Sequence, residues 1–270
     1  MAVPSPCQAQ SVPVPGPVRF SAPARAVLGV VQIGTDLVMD VEGSLLVSTL
    51  KGVEIRHAKI PLVQEEICAE TYHKAFESGA IKAAVDSLRI PEKNLAGENY
   101  ITVWGVSCTS MSFVLGEARV RSCFPPDAIT TNMWLAVVAA LRALRIQKLG
   151  LLVPYIEEVS TKNRDLLQAE GFEVPVYSTM GLPRDVETSS VAPDYIEECV
   201  LKLVRSGQPL DAIFIGCSAF RACMPGFISQ LEQKAGITIV TSTQAFLWNM
   251  LRTAGVEDQI GDYGRLFLEC

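Results

Sequence analysis

Apolar positions along the chain keep two different rhythms. Short runs rich in Val, Ile and Leu occupy residues 26–32, 53–60 and 100–106, and the middle run alternates apolar with polar side chains as a half-buried strand does. Residues 68–88 instead repeat apolar side chains at helical spacing. A second series follows: helix 131–144, strand 148–153, helix 158–170, strand 172–177, helix 192–206, strand 212–215, helix 224–235, strand 237–241 and helix 244–254. Strands that alternate with helices pair in parallel, because a parallel crossover needs the long connection a helix supplies. The expected class is α/β, with parallel sheets flanked by helices.

The pattern also repeats. Residues 101–110 and 212–219 each read as a buried strand ending in a cysteine, Cys108 or Cys217, followed by small hydroxyl or Ala residues. They lie about half a chain apart, so two pseudo-symmetric lobes are expected. Ligands of open parallel sheets bind beyond the carboxyl ends of the strands, and two such lobes face to face would bring both cysteines to one cleft. The expected organisation is a Pro-rich extension over 1–26, a first lobe over 27–130 and a second over 131–243. A C-terminal helix and tail, 244–270, is expected to return to the first lobe.

Composition narrows the functions. At 270 residues, 49% apolar and 19% charged, the chain can bury a core without a disulfide or metal staple. A net charge of −6 argues against a nucleic-acid partner, which needs clustered Lys and Arg. No apolar run approaches the roughly 18 residues of a membrane span, so no membrane partner is expected either. The eight cysteines, at 7, 68, 108, 123, 199, 217, 223 and 270, are expected to be reduced, most of them as small buried hydrophobes. No CxxC pair occurs, and His57 and His73 lie far along the chain from Cys108 and Cys217, so no metal is expected. Gly34 stands alone and makes no dinucleotide fingerprint. Residues 1–26 hold six prolines, two arginines and no acidic residue, which predicts a disordered extension. The expected location is the cytoplasm, with organelle targeting by this segment as the alternative.

A thiol at a strand's carboxyl end, just before a helix, stands near unpaired backbone N–H groups and the positive end of the helix dipole. That setting stabilises a thiolate, so iodoacetamide is expected to modify Cys108 or Cys217 ahead of the buried cysteines. It also makes a pocket for a carboxylate, with Thr109, Ser110 and Ser218 as further donors. Two thiols on opposite faces of a substrate can remove a proton on one side and return it on the other. Alternatively, one thiolate adds to a double bond, the new single bond rotates, and elimination gives the other geometry. Neither route needs a cofactor.

Five segments resemble the ordered blocks of maleate cis–trans isomerases: Gly-Val-Ser-Cys-Thr-Ser at 105–110, Leu-Val-Pro-Tyr-Ile-Glu-Glu-Val at 152–159, Ile-Gly-Cys-Ser-Ala-Phe-Arg at 215–221, Thr-Ser-Thr-Gln-Ala-Phe-Leu-Trp at 241–248 and Gly-Asp-Tyr-Gly-Arg at 261–265. The relatives of that family include arylmalonate decarboxylases and the wider aspartate/glutamate racemases. The resemblance covers about residues 27–268. It implies two flavodoxin-like lobes with the active site between them, and a homo-oligomer, dimer or tetramer. It makes Cys108 the first-lobe nucleophile and Cys217 the second-lobe acid/base. Tyr155 matches a tyrosine that contacts the substrate carboxylate, where the residue alone reads as a packing aromatic. Ser107, Thr109, Ser110 and Ser218 would help form the carboxylate pockets.

Two positions depart from the family pattern. The isomerases place Asn where this chain has Asp36, in Gly29-Val-Val-Gln-Ile-Gly-Thr-Asp36, and Asn where it has Asp185. An amide donates to a substrate carboxylate, whereas an ionised aspartate only accepts and repels it. Maleate is therefore in question, and the pair suits a substrate carrying a donor or an Asp held protonated. Elsewhere, His57 and His73 read as structural or exposed, Cys223 as helix core, and Phe246 and Trp248 as packing. The expected function is a cofactor-independent isomerase or racemase of a small carboxylate. A decarboxylase or lyase on the same scaffold is one alternative, and a non-catalytic carboxylate-binding protein is another. Decarboxylases of this type keep the second cysteine and lack the first, so both together tilt toward isomerisation.

Overall fold

The computed structural model describes residues 24–62, 68–89 and 101–270. The expectations for residues 1–23 and for Tyr100 lie outside the described residues.

Two four-stranded parallel sheets carry the chain. The first orders its strands β2-β1-β3-β4, from β1 (Ala26–Ile33), β2 (Val53–Ile60), β3 (Val103–Val106) and β4 (Thr130–Asn132). The second repeats this order as β6-β5-β7-β8, from β5 (Lys148–Val153), β6 (Glu173–Thr179), β7 (Ala212–Ile215) and β8 (Thr238–Thr241). Central β1 is buried at every position, as a strand covered on both faces must be, whereas edge strand β2 keeps Glu54, Arg56 and Lys59 exposed and His57 half-buried. The repeat inferred from the cysteine segments is thus a repeat of whole-sheet topology, and the α/β class with two similar lobes holds.

In the first lobe the connections are α1 (Met39–Ser48), α2 (Ala69–Glu77), α3 (Ala80–Leu88), α4 (Thr109–Leu115) and α5 (Glu117–Ser122). The expected single helix over 68–88 is two helices, because Gly79 turns the chain at φ 75°. After β4 comes α6 (Met133–Ala143), whose N-cap Asn132 accepts from the Leu135 N–H at 3.0 Å. The second lobe continues with α7 (Glu157–Ala169), α8 (Asp185–Ser189), α9 (Pro193–Val204) and α10 (Phe227–Ala235). Helix α10 starts later than residue 224 because Gly226 precedes it at φ 80°. Then α11 (Ser242–Thr253) is closed at its start by a capping box between Thr241 and Gln244. A 3₁₀ turn at Gly261–Tyr263 and α12 (Arg265–Glu269) finish the chain.

Helices α6 and α11 occupy equivalent places, each following the last strand of its sheet, and they pack against each other. Helix α11 also packs on α1, β1, β3 and β4, which seats it on the first sheet, while it touches β8 of the second. The tail beyond it does not return to the first lobe as expected, since the 3₁₀ turn packs on α10 and α12 on β8. The contact is close where β3 carries Gly105: a Cβ there would meet the Phe246 ring at 2.5 Å.

Candidate active site

In both sheets the chain leaves the central pair of strands in opposite directions, and the switch point lies between β1 and β3 in one lobe and between β5 and β7 in the other. A crevice opens at such a point beyond the strand ends. Asp36 follows β1 and Cys108 follows β3; Tyr155 follows β5 and Cys217 follows β7. Asp185 arrives from beyond β6 as the first residue of α8. All five are buried.

Each side chain is held in place by identifiable partners. Asp36 Oδ1 accepts from the backbone N–H groups of Val38 at 2.9 Å and Met39 at 3.0 Å, which anchors the start of α1. Asp36 Oδ2 is buried with no hydrogen bond of good geometry among the described residues, although the Ser218 hydroxyl stands beside the carboxyl. Gln32 Nε2 donates to the Asp36 carbonyl at 3.2 Å, and Gln32 Oε1 lies 2.8 Å from His57 Nδ1. Burial pushes the His57 pKa down to about 4. The ring is therefore neutral at pH 7 and donates from Nδ1 to Gln32, a supporting role consistent with the structural reading of His57. Asp185 Oδ2 accepts from the Thr35 hydroxyl at 2.8 Å, tying the second lobe to the loop after β1.

Cys108 is the N-cap of α4, and its Sγ accepts from the Met111 N–H at 3.3 Å. Ser110 Oγ lies 3.6 Å and the Tyr72 hydroxyl 4.0 Å from that sulfur, and these two oxygens are 2.6 Å apart. At Cys217 the Ala219 N–H is directed at the sulfur. Burial, and then the proximity of Cys217 and Cys108, pushes the Tyr155 pKa well up. The Tyr155 hydroxyl is buried and makes no hydrogen bond of good geometry among the described residues. The Tyr155 carbonyl is fixed by the Ser160 and Thr179 hydroxyls and the Gly181 N–H.

The expected hydroxyls divide. Ser107 Oγ is buried and unpartnered among the described residues, and Ser218 stands beside the Asp36 carboxyl. Ser110 is engaged by Tyr72. Thr109 is turned away from the cleft: its hydroxyl lies 2.9 Å from Ser242 Oγ and 3.1 Å from Met133 Sδ, at the junction of α4, α6 and α11. That leaves Thr109 only its main chain to offer a ligand.

The expectation of stabilised thiolates is overturned. Burial pushes the Cys108 thiol up to about 12, and the nearby Asp185 charge raises it further than the Met111 N–H can offset. Burial, then Asp185, raises Cys217 as well. The strand-end setting does supply an N–H to each sulfur, but removing a thiolate from water costs more than one such donor returns. The carboxyls follow the same rule. Burial, then the proximity of Asp36, pushes Asp185 up to about 7, and burial raises Asp36. Near neutral pH both thiols carry protons and Asp185 is partly protonated. Neither carboxyl is paired with a Lys or Arg among the described residues.

Tyr72, Thr35 and Gln32 belong to the site and were not marked by sequence. Tyr72 lies on the buried face of amphipathic α2, where an aromatic reads as core, and Thr35 and Gln32 act through side-chain geometry that spacing does not encode.

A model of the arylmalonate decarboxylase family matches residues 97–267. Among curated relatives, an arylmalonate decarboxylase from Bordetella bronchiseptica is 26% identical over 196 residues, covering 70% of this chain and 78% of that protein. A maleate isomerase from Nocardia farcinica is 25% identical over 131 residues, 48% of this chain and 51% of that protein. Solved structures share the fold. A Nocardia farcinica maleate cis–trans isomerase with a covalently bound succinylcysteine intermediate superposes with TM-score 0.73 at 19% identity, over 90% of this chain and 98% of that one. A liganded arylmalonate decarboxylase mutant does so with TM-score 0.71 at 20% identity, over 91% and 100%. With a family match over more than half of the chain, from just before β3 through the whole second sheet and into the last helix, the chain belongs to the arylmalonate decarboxylase family.

Proposed function

We propose that this chain is a cofactor-independent isomerase or racemase of a small carboxylate, with Cys108 and Cys217 as its two working thiols. The observation that carries this reading is the convergence of two buried cysteines, from equivalent strand ends of two lobes, on one buried tyrosine hydroxyl. As a racemase, whichever cysteine has first given up its proton, the minor form near neutral pH, takes the proton from the substrate α-carbon while the other thiol delivers its proton to the opposite face. The substrate leaves inverted and the thiol and thiolate have exchanged roles. As a cis–trans isomerase, the Cys108 thiolate adds to the double bond and the electron pair moves into the neighbouring carboxylate. Rotation about the new single bond and expulsion of the sulfur then give the other isomer. Tyr155 and Ser107 are the hydroxyls with donor capacity to spare for the substrate carboxylate.

The two aspartates fit this chemistry in one protonation state. A neutral Asp185 donates to a carboxylate much as the family's Asn would, and it does not oppose thiolate formation. An ionised Asp185 does the reverse on both counts. Carboxylate binding should therefore be strongest below about pH 7 and weaken as Asp185 ionises above it.

The sequence match over 78% of an arylmalonate decarboxylase favours a second reading, decarboxylation of a substituted malonate in the same cleft. Proton NMR in heavy water on maleate, aspartate, glutamate, hydantoins and substituted malonates separates the two. Isomerisation, or deuterium entering an α-carbon without carbon dioxide loss, is the expected result. Carbon dioxide loss from a malonate with no isomerisation elsewhere would replace the leading reading with the second. Cys108→Ser and Cys217→Ser should each lower turnover by about 10²–10⁴-fold, the usual yield of a positioned acid or base.

A further inference from the structure

A second carboxyl of the first lobe reaches the loop that carries Cys217. Glu42, on α1, is fully buried, and its Oε1 accepts from the backbone N–H of Cys223 at 2.8 Å, across 181 positions of sequence. Cys223 lies in the loop between β7 and α10, which begins with Gly216 and carries Cys217 and Ser218. At the other end of this contact Ser218 stands beside Asp36, and Asp36 anchors the start of α1. Residues 36–42 of the first lobe therefore touch residues 217–223 of the second at two places, through Asp36 to Ser218 and through Glu42 to Cys223.

We propose that Glu42 is a positioning residue for Cys217, clamping the second-lobe thiol loop onto α1 and so fixing Cys217 against Asp36 and Cys108. The assignment goes beyond the two-thiol reading and rests on it only for the word positioning, since the clamp itself is a contact between lobes. A backbone N–H held by a buried carboxyl is a stiff tether, because letting go leaves both groups buried and unpaired.

The surroundings of Glu42 say what form of the side chain does this. Facing it are Asp36 from the start of α1, Cys223 and the exposed Arg221 from the loop, Thr243 from α11 and Tyr263 from the 3₁₀ turn. Glu42 Oε2, Thr243 Oγ1 and the Tyr263 hydroxyl are all buried and without a hydrogen-bond partner of good geometry among the described residues. No Lys or Arg forms an ion pair with Glu42 among the described residues. Burial holds the Glu42 pKa well above its usual range. A neutral carboxyl accepts with one oxygen and donates with the other, which is also the donor and acceptor set of a glutamine amide.

The test reads the cysteines directly, by iodoacetamide alkylation at pH 8 with peptide mass spectrometry, in the full chain and its Glu42 variants. Glu42→Ala should raise alkylation of Cys217 by about tenfold or more relative to Cys108 and Cys123, because the loop opens locally. Glu42→Gln should stay within about twofold of the original chain, as a side chain with the same hydrogen bonds must. If Glu42→Ala fails to fold, Glu42→Asp, which withdraws the carboxyl by one methylene, is read against the same expectation. Unchanged Cys217 alkylation, or a parallel rise at every buried cysteine, would overturn the proposal, the latter because it marks general loosening. Glu42→Gln behaving like Glu42→Ala would overturn the neutral clamp. Turnover of the carboxylate panel bears on the proposed function alone, so the two fail separately.

Discussion

Replacing Asp185 with Asn removes the charge that, after burial, raises the Cys108 thiol most, and it removes the same influence from Cys217. Because Asp185 titrates at about 7, this substitution should change little at pH 6 and much at pH 8.5. The expected outcome is faster iodoacetamide alkylation of both thiols in Asp185→Asn above pH 7, with the two proteins converging below it. Equal rates at all pH values would show that Asp185 does not act on the sulfurs. Carboxylate binding should likewise lose its decline above pH 7. At this scale the sequence marked Cys108, Cys217, Tyr155, Asp36 and Asp185, because matched strand ends and family blocks point at them. It misjudged the protonation of the two thiols, since burial, which the sequence does not display, outweighs the donor that a strand end supplies. It also placed the Thr109 hydroxyl in the cleft, whereas the approach of α6 and α11 turns it toward Ser242 and Met133.

Between β3 and α11 the fit leaves no room for a side chain at residue 105. A Cβ on Gly105 would stand 2.5 and 2.6 Å from two Phe246 ring atoms and 3.3 Å from Met250 Sδ, and Phe246 is fully buried. Gly105→Ala should cost about 1–3 kcal/mol, as overpacking of a filled core does, and urea unfolding measures it. A loss below that range would show that α11 slides easily on the sheet. Helices with one apolar face, such as α2, α3, α7, α9 and α10, were legible from periodicity, and so were seven of the eight strands, with β1, β2, β5 and β7 nearly to the residue. The three-residue β4 was missed, its last two residues having been read as the start of α6. Helix α1 was missed because it is buried along Met39, Glu42, Gly43, Leu46 and Val47, a face that mixes apolar residues with a carboxylate and a glycine. Helices α4, α5 and α8 are too short to show a period at all.

Across the molecule, buried and exposed acids pull stability in opposite directions with pH. Asp36, Glu42 and Asp185 keep protons in the folded chain that the unfolded chain has already released. Their contribution is complete below the unfolded values, about 4, and is lost as pH rises through the folded values, about 7 for Asp185. Exposed carboxyls paired with basic partners, Glu70 with Lys74 and Asp258 with Arg25, have lowered values, so what they add is lost as pH falls. The melting temperature should therefore peak in mild acid, between about pH 4.5 and 6. A peak at or above pH 8 would contradict the protonated state assigned to the buried carboxyls. Asp185→Asn should flatten the decline on the alkaline side.

The seating of α11 on the first sheet also sets an order of events during synthesis. The strands of that sheet are made before those of the second, yet Phe246, which closes over Gly105, leaves the ribosome only after both sheets have been made. The first sheet is translated before the second yet is covered after it, and its nascent form shows a bare apolar surface until residues 242–253 arrive. A chain cut before α11 should accordingly bind hydrophobic dyes and chaperones, even though every strand of both sheets is present.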